Sequence, residues 1–152
     1  MSCKIQDIFL INKHKVKNNQ ILISCIVCIS LLMSCSPIYS PYLYDQTAEL
    51  KTQSLSVLCK ANEPYSKYET RVDLLRGDLE SVFQQEKMRK YNKVKIKQWG
   101  LLLAPDGYLL NGCLEKWEKD TVMSEEFINL QRKLIGEAFD LIQETEKQRI
   151  SK

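Results

Sequence analysis

Along the chain after residue 44, apolar positions recur at intervals of three and four, the period of a helix with one buried face. The first such stretch runs from about Asp45 to Ala61, where Ala48, Leu55, Leu58 and Cys59 share a face. Asn62-Glu63-Pro64 interrupts it, and proline suits a first helical turn, so a second helix starts there. Its seam is the most regular in the chain: Tyr65, Tyr68, Val72, Leu75, Leu79 and Val82, flanked by Phe83, fading near Lys90. A heptad-like seam of this kind packs against near-parallel neighbours. A last helix is predicted from Ser124, a good N-cap followed by Glu125 and Glu126, which complement the positive helix end. Phe127, Leu134, Ala138 and Leu141 form its stripe, widened by Ile128, Ile135 and Ile142.

Residues 93–118 fit two patterns. "KVKIKQW" alternates polar and apolar, and "LLLAPDGYLL" places apolar arms around Pro105-Asp106-Gly107, as a hairpin would. Yet Trp99, Leu103, Leu110, Cys113 and Trp117 keep helical spacing across that turn. A lone hairpin is marginal without a sheet to join, and nothing else in the chain is strand-like. The expected fold is therefore all-α, a small antiparallel (up-down) bundle of about four helices with the third broken at Pro105-Asp106-Gly107. The alternative is α+β with one hairpin at 93–112.

The N-terminal pattern is different. Polar, basic residues lead into "ILISCIVCISLLM", Ile21–Met33, thirteen residues without a charge. That length suits the apolar region of a secretory signal and falls short of the roughly 20 residues of a membrane span. The run ends in Leu32-Met33-Ser34-Cys35. This order resembles a bacterial lipoprotein signal, whose lipobox closes on a cysteine preceded by a small residue. Leu32 and Ser34 fit; Met33 departs mildly from the usual small residue. The resemblance covers about the first quarter of the chain. It implies a diacylglyceryl group on Cys35, further fatty acylation such as palmitate, and cleavage before Cys35. An ordinary secreted protein and an uncleaved anchor are the alternatives. The domains expected are 1–34 as signal peptide, 35–44 as a lipidated tether kept extended by Pro37 and Pro41, and 45–152 as the bundle. The tether's tyrosines suit either the bilayer interface or the base of the domain.

Charge adds one point. The chain of 152 residues has a formal net charge of +3, and Lys4, Lys13, Lys15 and Lys17 against Asp7 account for all of it. The remainder is neutral, which removes the electrostatic case for nucleic-acid binding. Within it, Lys87, Arg89, Lys90, Lys93, Lys95 and Lys97 form a local basic cluster, with Tyr91 and Trp99 interleaved. These cations suit anionic lipid headgroups or an acidic partner, and some serve the C-terminal end of a helix.

Catalytic signatures are absent from the pattern. His14, the one histidine, and the Cys25-Ile-Val-Cys28 pair fall in the segment removed with a signal. Without histidine, Ser-His-Asp and Cys-His catalysis and histidine metal sites are excluded from the mature chain. Glu115 with Glu118, and Glu125 with Glu126, read as solvated carboxylates unless a cleft buries them. No metal or cofactor is expected. Cys59 and Cys113 fall within about a turn of height on helices running the same way, so a disulfide is allowed, with separate thiols as the simpler reading. Trp99 and Trp117 lie on the apolar stripe and read as core. The function expected is a non-catalytic binding or scaffolding module of the bacterial envelope, facing the periplasm, with a membrane contact through Cys35 and an envelope protein as partner. Ser36 after the cysteine matches the enterobacterial pattern for the outer membrane. A carboxylate enzyme and an immunity or inhibitor lipoprotein are the alternatives.

Overall fold

The computed structural model describes residues 39–149, so the apolar run and Cys35 lie outside the described residues. Ile38–Lys152 forms one compact unit. Its described residues contain five helices: α1 (Pro41–Leu58), α2 (Glu69–Met88), α3 (Lys93–Leu102), α4 (Leu110–Asp120) and α5 (Glu125–Lys147), with a 3-10 turn at Tyr65–Lys67 before α2. There is no strand among the described residues. The protein is an all-α bundle, and the hairpin alternative at 93–112 is replaced by two helices.

The first helix begins earlier than its pattern suggested. Ser40 caps it, its Oγ accepting the Leu43 amide at 3.3 Å, and Pro41 takes the first helical position, where its missing N–H costs nothing. The expected tether of 35–44 is therefore too long: Pro41 starts a helix instead of extending the chain, and Leu43 is already core. Tyr44 is half-buried, with the Lys147 ammonium 5.4 Å from its ring centroid, whereas Tyr42 is exposed. The buried stripe of α1 is Leu43, Thr47, Leu50, Ser54, Val57 and Leu58. Ala48 and Leu55 sit at its flank and Cys59 is exposed.

The α2 seam of Val72, Leu75, Leu79 and Val82 is buried as expected, but the helix starts at Glu69 and not at Pro64: Tyr65, also buried, lies in the 3-10 turn and Tyr68 is half-buried. Trp99, Leu102, Leu110, Cys113, Leu114 and Trp117 are also buried, so one apolar face continues across the break between α3 and α4. The break depends on a close backbone approach. A Cβ on Gly112 would collide with the Gly107 carbonyl.

Ser124 caps α5, its Oγ accepting the Phe127 amide at 3.3 Å. The stripe that faces inward is Ile128, Gln131, Ile135, Phe139, Ile142 and Glu146. The stripe read as primary is displaced: Leu134 and Leu141 are exposed, and Phe127 and Ala138 pack at the edge. The β-branched residues thought to widen the face are its centre.

Contacts between helices fix an up-down order. Lys51 pairs with Asp140 at 2.5 Å, Arg71 donates to Ser56 Oγ at 2.9 Å, and Gln98 donates to Thr145 Oγ1 at 2.9 Å. These are antiparallel pairings of α1 with α5, α1 with α2, and α3 with α5. At one end, Tyr65 N–H donates to Thr121 O at 2.9 Å and Met123 N–H to Ala61 O at 2.7 Å. There Trp117 Nε1 donates to Glu63 O at 3.0 Å and meets Tyr65 edge-on. At mid-core, Trp99 meets Phe139 edge-on at 5.9 Å. The other end gathers the start of α1, the α2–α3 corner and the end of α5.

Candidate functional site

That second end is built from charge. The apolar seam of α2 continues one turn beyond Val82 to Glu86, and the seam of α5 one turn beyond Ile142 to Glu146. On α3, Lys95 stands one turn before Trp99. Helical spacing thus directs two carboxylates and an ammonium inward, and all three have 0% exposure. Lys95 Nζ donates to Glu86 Oε1 and to Glu146 Oε2 at 2.8 Å. Arg89 grips Glu146 with both terminal nitrogens, Nη1 to Oε2 at 3.0 Å and Nη2 to Oε1 at 2.8 Å. Its Nη1 also donates to Glu86 Oε2 at 3.1 Å. Such bidentate pairing is the strong form of the interaction.

Polar groups from the cap of α1, the α2–α3 corner and the segment after α5 complete the cluster. The Ser40 amide donates to Glu146 Oε1 at 2.7 Å. Asn92 Nδ2 donates to Glu86 O at 2.7 Å and to Glu86 Oε2 at 2.5 Å. Arg149 Nη2 donates to Tyr91 O at 3.1 Å and to Asn92 Oδ1. Tyr91 has φ 58°, a left-handed conformation uncommon outside glycine and asparagine, and the hold of Arg149 on its carbonyl fixes that corner.

Burial alone pushes the Glu146 carboxyl upward. Hydrogen bonds from Arg89, Lys95 and the Ser40 amide outweigh it and bring the pKa down to about 2. A carboxylate held there neither gives nor takes a proton near neutral pH. The arrangement is chemically a clamp joining the beginning of α1 to the ends of α2 and α5.

The structure divides the basic cluster read from sequence. Lys95 is fully enclosed and the Arg89 side chain is 17% exposed; both are committed to Glu86 and Glu146, so neither is available to a lipid or a partner. This corrects the expectation for those two residues. Lys87, Lys90, Lys93 and Lys97 are exposed. Lys87 lies 4.2 Å over the Phe83 ring and 4.0 Å from Glu80. Cys35 lies outside the described residues. Cys59 and Cys113 are both free thiols, one exposed and one buried, so the disulfide their register allows is not formed. Burial pushes the Cys113 thiol up to about 11.

Glu115 accepts from Asn111 at 3.4 Å, Glu118 pairs with Arg76 at 3.4 Å, and Glu125 and Glu126 are exposed. A groove of about 260 Å³ between α2 and the α3–α4 break is lined by Arg76, Leu79, Glu80, Leu103, Leu110 and Asn111; it does not reach the buried pair. No cluster of three metal-ligating side chains occurs among the described residues.

The sequence reading missed Glu86, Glu146, Asn92, Arg149 and Ser40. The signal was present: three helical stripes terminate in charges of opposite sign, all at one end of an up-down bundle.

No protein-family model, curated protein or solved structure matches the chain. No helix among the described residues is long and apolar enough to cross a membrane.

Proposed function

We propose that the chain is an envelope lipoprotein, anchored through acyl groups on Cys35, whose bundle is a non-catalytic binding or scaffolding module facing the periplasm. The sequence Leu32-Met33-Ser34-Cys35 carries this reading. The start of α1 at Pro41 supports it. Only a short link separates Cys35 from the Ser40 cap, and five residues of chain span at most about 18 Å. The bundle would therefore be held close to the membrane, and the clamp on Ser40 receives any pull on the anchor. Two acyl signals suffice for stable anchoring, since each buried methylene contributes about 0.8 kcal/mol. Ser36 directs such a protein to the outer membrane under the enterobacterial sorting pattern.

The non-catalytic part rests on Glu86 and Glu146. Both buried carboxylates are committed to cations, and that of Glu146 is held down to about 2, whereas an acid catalyst needs a raised pKa beside a cleft. The deciding experiment is the intact mass of the protein extracted from membranes. Loss of residues 1–34 with an acyl increment on Cys35 is expected, and Cys35→Ser should abolish both. A full-length, unmodified chain would sink the reading.

A further inference from the structure

The α2–α3 corner presents an unusual surface for a neutral domain. Met88, Tyr91 and Val94 are 80%, 90% and 63% exposed, and they fall within seven residues of chain. Lys90, Lys93 and Lys97 stand among them, exposed and without a carboxylate partner among the described residues. The corner is fixed in place: Tyr91 has a left-handed conformation, Arg149 holds its carbonyl, and Asn92 beside it bonds to Glu86.

We propose that this corner seats the bundle on an anionic bilayer, with Met88, Tyr91 and Val94 entering the interface and Lys90, Lys93 and Lys97 meeting headgroups. Two observations select a bilayer over a protein partner. The chemistry is complementary to it: an amphipathic aromatic and two apolar side chains ringed by unpaired ammonium groups, each worth about 1 kcal/mol near an anionic surface. The position also fits, since Ser40 and Arg89 donate to the same oxygen of Glu146. The corner is thereby fixed beside the point where the link to Cys35 enters the bundle. The identity of the bilayer rests on the anchor reading above; the surface itself does not.

The test therefore replaces the native anchor. The unit Ile38–Lys152 contains every buried core residue named above and the whole clamp, so it can be used alone. It is held by an N-terminal histidine tag on vesicles bearing a nickel-chelating lipid and a doxyl quencher high on the acyl chain. Tyr91→Trp is the reporter, and Tyr108→Trp, equally exposed (89%) but in the α3–α4 break, is the control. On phosphatidylcholine vesicles containing phosphatidylglycerol, Trp at 91 should be quenched at least severalfold more than Trp at 108. Lys90→Glu, Lys93→Glu and Lys97→Glu together should remove the difference. Without the tag, the same three changes should weaken vesicle binding by about a hundredfold, at roughly fivefold per lysine. Equal, weak quenching at 91 and 108 would overturn the proposal and assign the corner to a protein. Failure of Cys35 acylation, read from the mass, would leave this result standing.

Discussion

Glu86 and Glu146, on α2 and α5, hold the ammonium of Lys95 between them. With Arg89 bridging the same carboxylates and Arg149 Nε 3.9 Å from Glu146, two anions and three cations share one largely enclosed space. Taking charges out of water costs several kcal/mol per ion, so such a cluster is stable only as a complete set.

Removing one member should accordingly be severe. Glu146→Gln leaves Lys95 and Arg89 sharing one carboxylate and loses the strong acceptor for Ser40; it should cost about 3–5 kcal/mol in urea unfolding. Lys95→Met should cost a similar amount. Combining Lys95→Met with Glu86→Met removes an opposite pair at near-equal volume, so the double variant should be more stable than the sum of its singles by about 1 kcal/mol or more.

The clamp also sets acid sensitivity. Glu146 titrates near 2 when folded and near its ordinary 4.5 when unfolded. Its contribution is fully present above pH 4.5 and is lost as pH falls from there toward 2, because the unfolded chain takes up the proton first. Full loss corresponds to about 3 kcal/mol. Thermal melts should show a steep fall in midpoint below pH 4.5, and the fall should be shallower in Glu146→Gln.

The two bundle thiols should separate by reactivity. Cys59 is exposed and Cys113 is buried with its thiol raised to about 11. Thiolate is the reactive form. Maleimide labelling of the native protein at pH 7.5, followed by peptide mapping, should modify Cys59 within minutes and Cys113 only when denaturant is added. Equal labelling would mean that α4 does not pack as described.

Glycine substitutions should act with opposite signs. Gly77 and Gly100 sit inside α2 and α3, with nothing within 4 Å of an added Cβ. Gly77→Ala and Gly100→Ala should each stabilise by about 0.5–1 kcal/mol. Gly112→Ala forces the α3–α4 break apart against Gly107 and should destabilise by about 1–3 kcal/mol. Midpoints of chemical unfolding decide all three.

Periodicity made most of the fold legible. The seam from Tyr65 to Val82 and the spacing of Trp99, Leu110, Cys113 and Trp117 were enough to favour helices over a hairpin. Periodicity resolved faces less well on α5, where leucines and isoleucines alternate so closely that two adjacent stripes compete. Only packing in the assembled core, where Trp99 meets Phe139 edge-on, picks the one centred on Ile135 and Phe139. Pro41 was ambiguous because the same fixed φ suits an extended segment and a first helical turn. The charged end was misread because lysines were treated as surface by default. Lys95 is inside because Glu86 and Glu146 arrive from helices distant in sequence, and no single helix displays that pairing.

The carboxylate that secures the start of α1 lies near the end of the last described helix. As the chain is made, Ser40, Arg89 and Lys95 all emerge before Glu146. Until α5 docks, Glu86 faces two cations alone and the first helix lacks its closing bond. A chain stopped short of α5 would carry an excess of buried positive charge and an open apolar face, both hallmarks of a chain that cannot settle. The bundle thus withholds its native state until synthesis has passed Glu146, and incomplete copies would be marked by their own electrostatics.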